Sequence, residues 1–193
     1  MRKRIILCFV GLPGSGKTKA KEMVLKNFDS FGISSGDIIR EEIKRRGLQY
    51  SPHTDAIVAQ WFHSQGRERL VVERLWDKIR KTRKKLMVIE GLRNSLEIEY
   101  LEKLSGNNPI IIAIVAPFWV RAKRELKRGR FEKGENVDYL RQRDRAEIGR
   151  GELKLIKKAD YKINNARMSL SQMEKRIVRV VGKIMKNDPK TKI

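Results

Sequence analysis

The stretch Gly11-Leu12-Pro13-Gly14-Ser15-Gly16-Lys17-Thr18 constrains this chain more than any other. It fits G-x-x-x-x-G-K-[ST] in full. Glycines at this spacing let consecutive backbone N–H groups curl around a phosphate without Cβ clashes. A helix starting at the end of such a loop points its positive terminus at the same anion. A lysine at the position of Lys17 reaches the β- and γ-phosphates, and a hydroxyl at the position of Thr18 ligates Mg²⁺. The flanks agree with this reading. Ile5 to Val10 is a continuous apolar run, as in a strand buried on both faces, and residues 17–28 read as a helix. The segment therefore implies a site for a nucleoside triphosphate and Mg²⁺, with Gly11, Pro13, Gly14, Ser15, Gly16, Lys17 and Thr18 around the phosphates.

The rest of the chain alternates short apolar runs with helical patterns. Strands are predicted at 5–10, 31–34, 86–89, 109–116 and 161–163. Helices are predicted at 17–28, 37–46, 51–66, 67–82, 94–106, 117–128, 137–148, 153–157 and 169–186. Gly47 and Gly106 read as helix stops. Ser51-Pro52 reads as an N-cap followed by proline, and Asn94 with Glu97 reads as a capping box. This order predicts an α/β fold with a central parallel five-stranded sheet flanked by helices. We read residues 1–193 as one domain, with a helical insertion at 36–83, a mobile loop at 129–136 within a region 121–147, and a frayed tail at 187–193.

A chain of 193 residues builds a sizeable core without staples. Its single cysteine, Cys8, excludes an internal disulfide framework and lies in an apolar run, which makes it a core residue. Two histidines without a second cysteine argue against a zinc site. The longest apolar stretch, Ile110 to Val120, is broken by Pro117 and falls short of the roughly 20 residues a membrane span needs. A cytoplasmic protein without a membrane partner is expected. Trp61, Phe62 and Trp76 at helical spacing read as core, and His63 as a partly exposed helix residue.

Charge is the other distinctive feature. Lys and Arg number 45 against 23 Asp and Glu, a formal net charge of +22. An ion-rich surface accounts for many charges but not for a twofold excess of one sign. Such a surface attracts anions: nucleotides, RNA or DNA, or acidic proteins. Lys78 to Lys85 holds six basic residues in eight, and Arg150 to Ile193 holds 13 basic against four acidic residues. These stretches are either solvated helix ends favoured by the macrodipole or an RNA-facing patch.

Two further motifs follow predicted strands. Ser35-Gly36-Asp37-Ile38-Ile39-Arg40 places an arginine in the first turn of a helix after a Gly-Asp turn, where it can hold a second phosphate. Glu90-Gly91-Leu92-Arg93 places an acid at a strand end, where it can hold Mg²⁺ through water, with an arginine three residues on. In an α/β fold both lie at strand C-termini beside the phosphate loop. Arg121, Arg124, Arg128 and Arg130 cluster before the glycine-containing loop, and Arg124 and Arg128 share one helix face.

Taken together, Gly11 to Thr18, Ser35 to Arg40, Glu90 to Arg93 and the pair Arg124 and Arg128 resemble adenylate kinase and its nucleoside monophosphate kinase relatives. Arg141-Gln142-Arg143 and the stretch from Ala159 to Asn165 are more similar to dephospho-coenzyme A kinase. The whole pattern most resembles an archaeal group of adenylate-kinase-related P-loop proteins. The resemblance implies a nucleoside monophosphate kinase-like fold in which 36–83 is an acceptor-binding flap and 121–147 a short lid. It implies phosphoryl transfer from ATP to AMP. Lys17 would bridge the donor phosphates. Gly36, Asp37, Arg40, Gly91 and Arg93 would form the acceptor site. Thr18 would hold Mg²⁺, with Asp37 and Glu90 acting through its waters. Arg124 and Arg128 would close over the donor. The turn at Glu90 to Arg93 is one residue shorter than in adenylate kinases, and the loop before Val137 is short and lacks cysteine. A kinase of dephospho-coenzyme A and an RNA- or ribosome-associated ATPase are the alternatives.

Overall fold

The computed structural model describes residues 4–64, 66–127 and 137–187. Five strands form one parallel sheet: β1 (Ile5–Val10), β2 (Ser30–Ser34), β3 (Leu86–Glu90), β4 (Ile110–Val115) and β5 (Tyr161–Asn164), in the order β2-β3-β1-β4-β5. The chain leaves β1 toward β2 and β3 on one side and later continues to β4 and β5 on the other. The end of β1 is thus the switch point of the sheet, where a crevice opens at the strand C-termini. The register aligns Phe9 with Glu90 and Ser34 with Glu90. The phosphate loop, Glu90 and Ser34 therefore emerge side by side.

Alternate residues of β1 serve the two faces. Leu7 and Phe9 pack with α1 (Lys17–Asn27) and α9 (Leu170–Asn187), through Ala20, Val24, Ile177 and Val181. Ile6, Cys8 and Val10 face a second cluster. That cluster is built by α2 (Ser35–Arg45), α3 (Pro52–Phe62), α4 (Glu68–Ile79), α5 (Ser95–Ser105) and α8 (Glu152–Lys158). Both faces are covered, which is why β1, and β3 as far as Ile89, are continuous apolar runs rather than alternating. The helices of the 36–83 insertion share this core: Ile39, Phe62 and Leu75 lie in the same cluster as Ile6.

The predicted elements are all present, with corrected ends. The helix after β2 starts at Ser35, not Asp37, because the Ser34 and Asp37 side chains cap each other's backbone N–H groups. Gly36 and Asp37 are thus first-turn residues rather than a separate turn. The third helix stops at Phe62 with His63 as its C-cap; the residue is partly exposed as a whole, but its imidazole side chain is only 4% exposed. Phe62 and Trp76 are core as expected. Trp61 lies between the guanidinium groups of Arg46 and Arg67, 4.2 and 4.8 Å from its ring centre. Leu170 is exposed at the first residue of the last helix, whereas Met173, Ile177, Val180, Val181 and Ile184 are buried. No helix among the described residues is long and apolar enough to cross a membrane.

Candidate phosphate-transfer site

Between β1 and α1 the loop follows the path its glycines permit. Gly11, Gly14 and Gly16 have φ of +146°, +75° and +106°. A Cβ on Gly11 would lie 2.2 Å from the Ile114 carbonyl oxygen, so no other residue fits there. Ser15 N–H donates to the Leu12 carbonyl at 3.1 Å. The Ser15 Oγ is buried and has no hydrogen-bond partner, a donor left inside the cradle. Lys17 lies across the loop on the Gly11 and Leu12 carbonyls. Burial lowers its pKa, against the opposing pull of Glu152 and Glu147.

Two arginines of α6 (Phe118–Lys127) brace this loop from behind. Arg121 is buried, forks onto both Asp144 carboxylate oxygens at 2.8 and 2.6 Å, and donates to the Pro13 carbonyl at 2.9 Å. Arg124 donates to the Ser15 carbonyl at 3.3 Å and to Asn165 Oδ1 and O, both at 3.0 Å. Asn165 returns a bond to the same Ser15 carbonyl at 2.8 Å. Arg124 thus touches the phosphate loop directly. Arg128, Arg130 and the loop at 129–136 lie outside the described residues.

The second half of the site stands at the ends of β2 and β3. Burial works against the Asp37 charge, but hydrogen bonds from Ser34 and Arg40 outweigh it and hold this carboxyl below its ordinary pKa. Arg40, half exposed, meets Asp37 Oδ1 at 2.7 Å. Gly91 has φ of +89°, and a Cβ there would lie 2.3 Å from Ser35 Oγ. Instead Ser35 Oγ donates to the Gly91 carbonyl at 2.8 Å. Arg93 donates through Nε to Glu147 at 2.5 Å and through Nη1 to the Gly91 carbonyl at 3.1 Å. Its Nη1 also lies 3.3 Å from His63 Nε2. Burial opposes the charge of Arg93, but Glu147, Glu97 and Glu152 prevail and raise its pKa.

Several partners of these residues come from the C-terminal helices. Glu147 and Glu152 come from α7 (Val137–Arg150) and α8, on either side of Gly151. Both are buried, and Glu152 accepts the Gly11 N–H at 2.5 Å. Burial raises the pKa of Glu152 despite the attraction of Lys17, whereas Arg93 and Lys17 overcome burial at Glu147 and lower its pKa. The buried positions of α7 are Leu140, Asp144 and Glu147, while its isoleucine, Ile148, is 40% exposed. A helix whose inward stripe is acidic is serving a site, not only a core. Burial and the neighbouring Arg93 push the His63 pKa down to about 3, and burial pushes Glu97 up to about 7. His63 Nδ1 and Glu97 Oε1 face each other at 3.7 Å without hydrogen bonds.

Among the described residues no group of three or more His, Cys, Asp or Glu side chains could hold a metal on its own. That suits Mg²⁺, which is bound through one or two carboxylates, waters and substrate phosphates rather than by an all-protein cage. The exposed Thr18 and the carboxylates of Glu90 and Asp37 fit that mode. Glu90 Oε1 already carries Lys21 Nζ at 2.7 Å, so one carboxylate oxygen remains for a metal-bound water.

Comparison with known proteins fits this geometry. A family model described as an AAA domain matches residues 10–141. A UPF0200 protein of Methanosarcina acetivorans is 33% identical over 183 residues, covering 95% of this chain and 97% of that protein. A UPF0200 protein of Pyrococcus horikoshii is 34% identical over 191 residues, covering 96% and 100%. The chain belongs to the UPF0200 family. Among solved structures, a gluconokinase from Sinorhizobium meliloti superposes with a TM-score of 0.63 at 12% identity, covering both chains in full. A shikimate kinase from Acinetobacter baumannii in complex with shikimate superposes with a TM-score of 0.59 at 16% identity, covering 96% of each chain. The fold is therefore that of P-loop small-molecule kinases.

Proposed function

We propose that this UPF0200 protein is an ATP- and Mg²⁺-dependent kinase whose acceptor is a nucleoside monophosphate, AMP first. The observation that carries the reading is a pair of arginines on the phosphate-loop end of the sheet: Arg93, three residues past β3, and Arg40, in the second turn of α2 with its guanidinium folded back over Gly36. An acceptor phosphate lying between them would face the donor. In this reading Gly11 to Thr18 cradles the donor phosphates and Lys17 neutralises them. Thr18, with Asp37 and Glu90 through water, would hold the metal, which draws charge from the bridging oxygens. Gly36 and Gly91 keep the acceptor floor free of side chains. Arg124 couples α6 to the loop, and Arg128 would close over the transferring phosphoryl group. The adenylate-kinase resemblance of the motifs supports AMP. An acceptor that is already an anion needs no general base, so catalysis is positioning and electrostatics. The region 36–83 would act as the acceptor flap and 121–147 as the lid.

A second reading, transfer to a hydroxyl as in a dephospho-coenzyme A kinase, draws on Glu147. Its carboxylate, held ionised by Arg93, would accept a hydrogen bond from that hydroxyl and orient it.

Arg40→Ala separates acceptor from donor binding. Loss of one charge-assisted contact costs about 1.5–3 kcal/mol. AMP affinity measured by calorimetry should fall roughly 10- to 150-fold while ATP affinity stays within about twofold. Unchanged AMP affinity, or equal loss of both, would overturn the assignment of Arg40.

A further inference from the structure

The kinase reading uses one end of the sheet and leaves the excess positive charge unexplained. Many exposed cations are paired with an acid, such as Arg80 with Asp77 and Lys78 with Glu41. The outer face of α9 is different. Lys175, Arg176, Arg179, Lys183 and Lys186 are all exposed. None of them has an ion pair among the described residues. At 100° per residue they occupy one sector, opposite the stripe formed by Met173, Ile177, Val180, Val181 and Ile184, which is buried against the sheet. The single acid of the helix, Glu174, is turned aside to Lys26 and Asn27 of α1. Helix-end preference for cations reaches only the last turn, so it does not account for a stripe about 16 Å long.

α9 starts where Met173 meets Asn165, just past the C-terminal end of β5, and its buried stripe belongs to the cluster that includes Ile5 and Leu86 at the strand N-termini. There Arg83 and Lys85 are exposed. The stripe starts near the strand C-termini, where Met173 lies beside Asn165 and Gly16, and this edge lies at the opposite end of the sheet.

We propose that the outer face of α9, continued by Arg83 and Lys85, docks the sugar–phosphate backbone of double-helical RNA. Three features select that partner. The cations recur every three or four residues, about 5 Å along the axis, a repeat closer to the phosphates of an A-form strand than to the wider spacing of B-form DNA. The stripe carries no aromatic side chain on which unpaired bases would stack, which favours a duplex over a single strand. The apolar face of the helix is already buried in the core and has nothing to insert into a membrane.

The test uses the full chain, a 20-base-pair RNA duplex carrying a fluorophore, and anisotropy over a salt series. Wild-type affinity should fall steeply with salt. Arg176→Gln/Arg179→Gln/Lys183→Gln should lower affinity at least tenfold and reduce the log–log salt slope by about 2.7, or roughly 0.9 for each lost contact. Its ATP affinity should stay unchanged, which reports that it is folded. The control Lys44→Gln/Lys103→Gln/Lys154→Gln removes the same charge elsewhere and should leave the affinity within about twofold. Equal loss in both variants would overturn the α9 site and leave only bulk charge. Equal or tighter binding to the matching DNA duplex, or to vesicles of phosphatidylserine and phosphatidylcholine, would overturn RNA as the partner.

Discussion

Glu42→Gln tests how the acceptor side of the molecule is held. Glu42 is 0% exposed. It accepts from Arg45 Nε and Nη2 at 2.8 and 2.7 Å, from Arg46 Nε at 2.7 Å and from Arg74 Nη1 at 2.7 Å. The bond from Arg74 ties α4 to α2, the helix that carries Asp37 and Arg40. These arginine bonds dominate and hold the Glu42 carboxyl far below the ordinary range, against its burial. Breaking a fully buried pair costs about 3–5 kcal/mol. Here the arginine side chains are 28–66% exposed and rehydrate when released, so about 2 kcal/mol is expected. For a chain of this length that corresponds to a fall in Tm of about 4–8 °C. The sign of the pH dependence follows from linkage. The folded pKa is depressed, so the stabilisation is complete above the unfolded value of about 4.3 and is lost as pH falls below it. Thermal and urea unfolding of wild type and variant at pH 7 and pH 3.5 provide the assay. The gap should be about 2 kcal/mol at pH 7 and clearly smaller at pH 3.5. A gap of the same size at both values, or none at pH 7, would refute the reasoning.

Two other outcomes follow from the site geometry. Gly91→Ala places a Cβ against Ser35 at positive φ, a strain of about 1–3 kcal/mol. Calorimetry should show acceptor affinity falling at least tenfold with ATP affinity retained; equal affinities for both ligands would contradict the close approach. His63, with its pKa near 3, should show no imidazole titration by NMR between pH 8 and 5. Because its folded pKa lies below the unfolded 6.5, it takes stability away as pH falls from about 6.5 toward 3, and Glu97, with its pKa near 7, takes stability away as pH rises from about 4.3 to 7. A titration midpoint near 6.5 would contradict the burial of His63 against Arg93.

Local chemistry explains which parts were legible in the sequence. The phosphate loop could be read because its function resides in one contiguous backbone path, and Gly11, Gly14 and Gly16 mark its turns. The central strands β1, β3 and β4 could be read because strands buried on both faces are nearly continuous apolar runs. The capping boxes at Ser51 and Asn94 could be read because they span only three residues. Glu147, Glu152 and His63 were not read as site residues because what defines them is a partner far along the chain: Arg93 is 54 residues from Glu147 and 30 from His63, and Gly11 is 141 from Glu152. In a chain where 35% of residues are charged, a buried acid has the same local signature as a solvated one. Arg121 illustrates the same limit: it stood in a cluster of arginines, and only the fold shows it buried on Asp144 behind the loop.

Transfer of labelled phosphate tests the central claim most directly. Protein, Mg²⁺ and ATP labelled at the γ-phosphate would be incubated with AMP, and separately with CMP, UMP, GMP or dephospho-coenzyme A, and the products separated by chromatography. The account predicts label on the β-phosphate of ADP, dependent on AMP and lost in Lys17→Ala. Label appearing only as inorganic phosphate, at a rate indifferent to every acceptor, would contradict it.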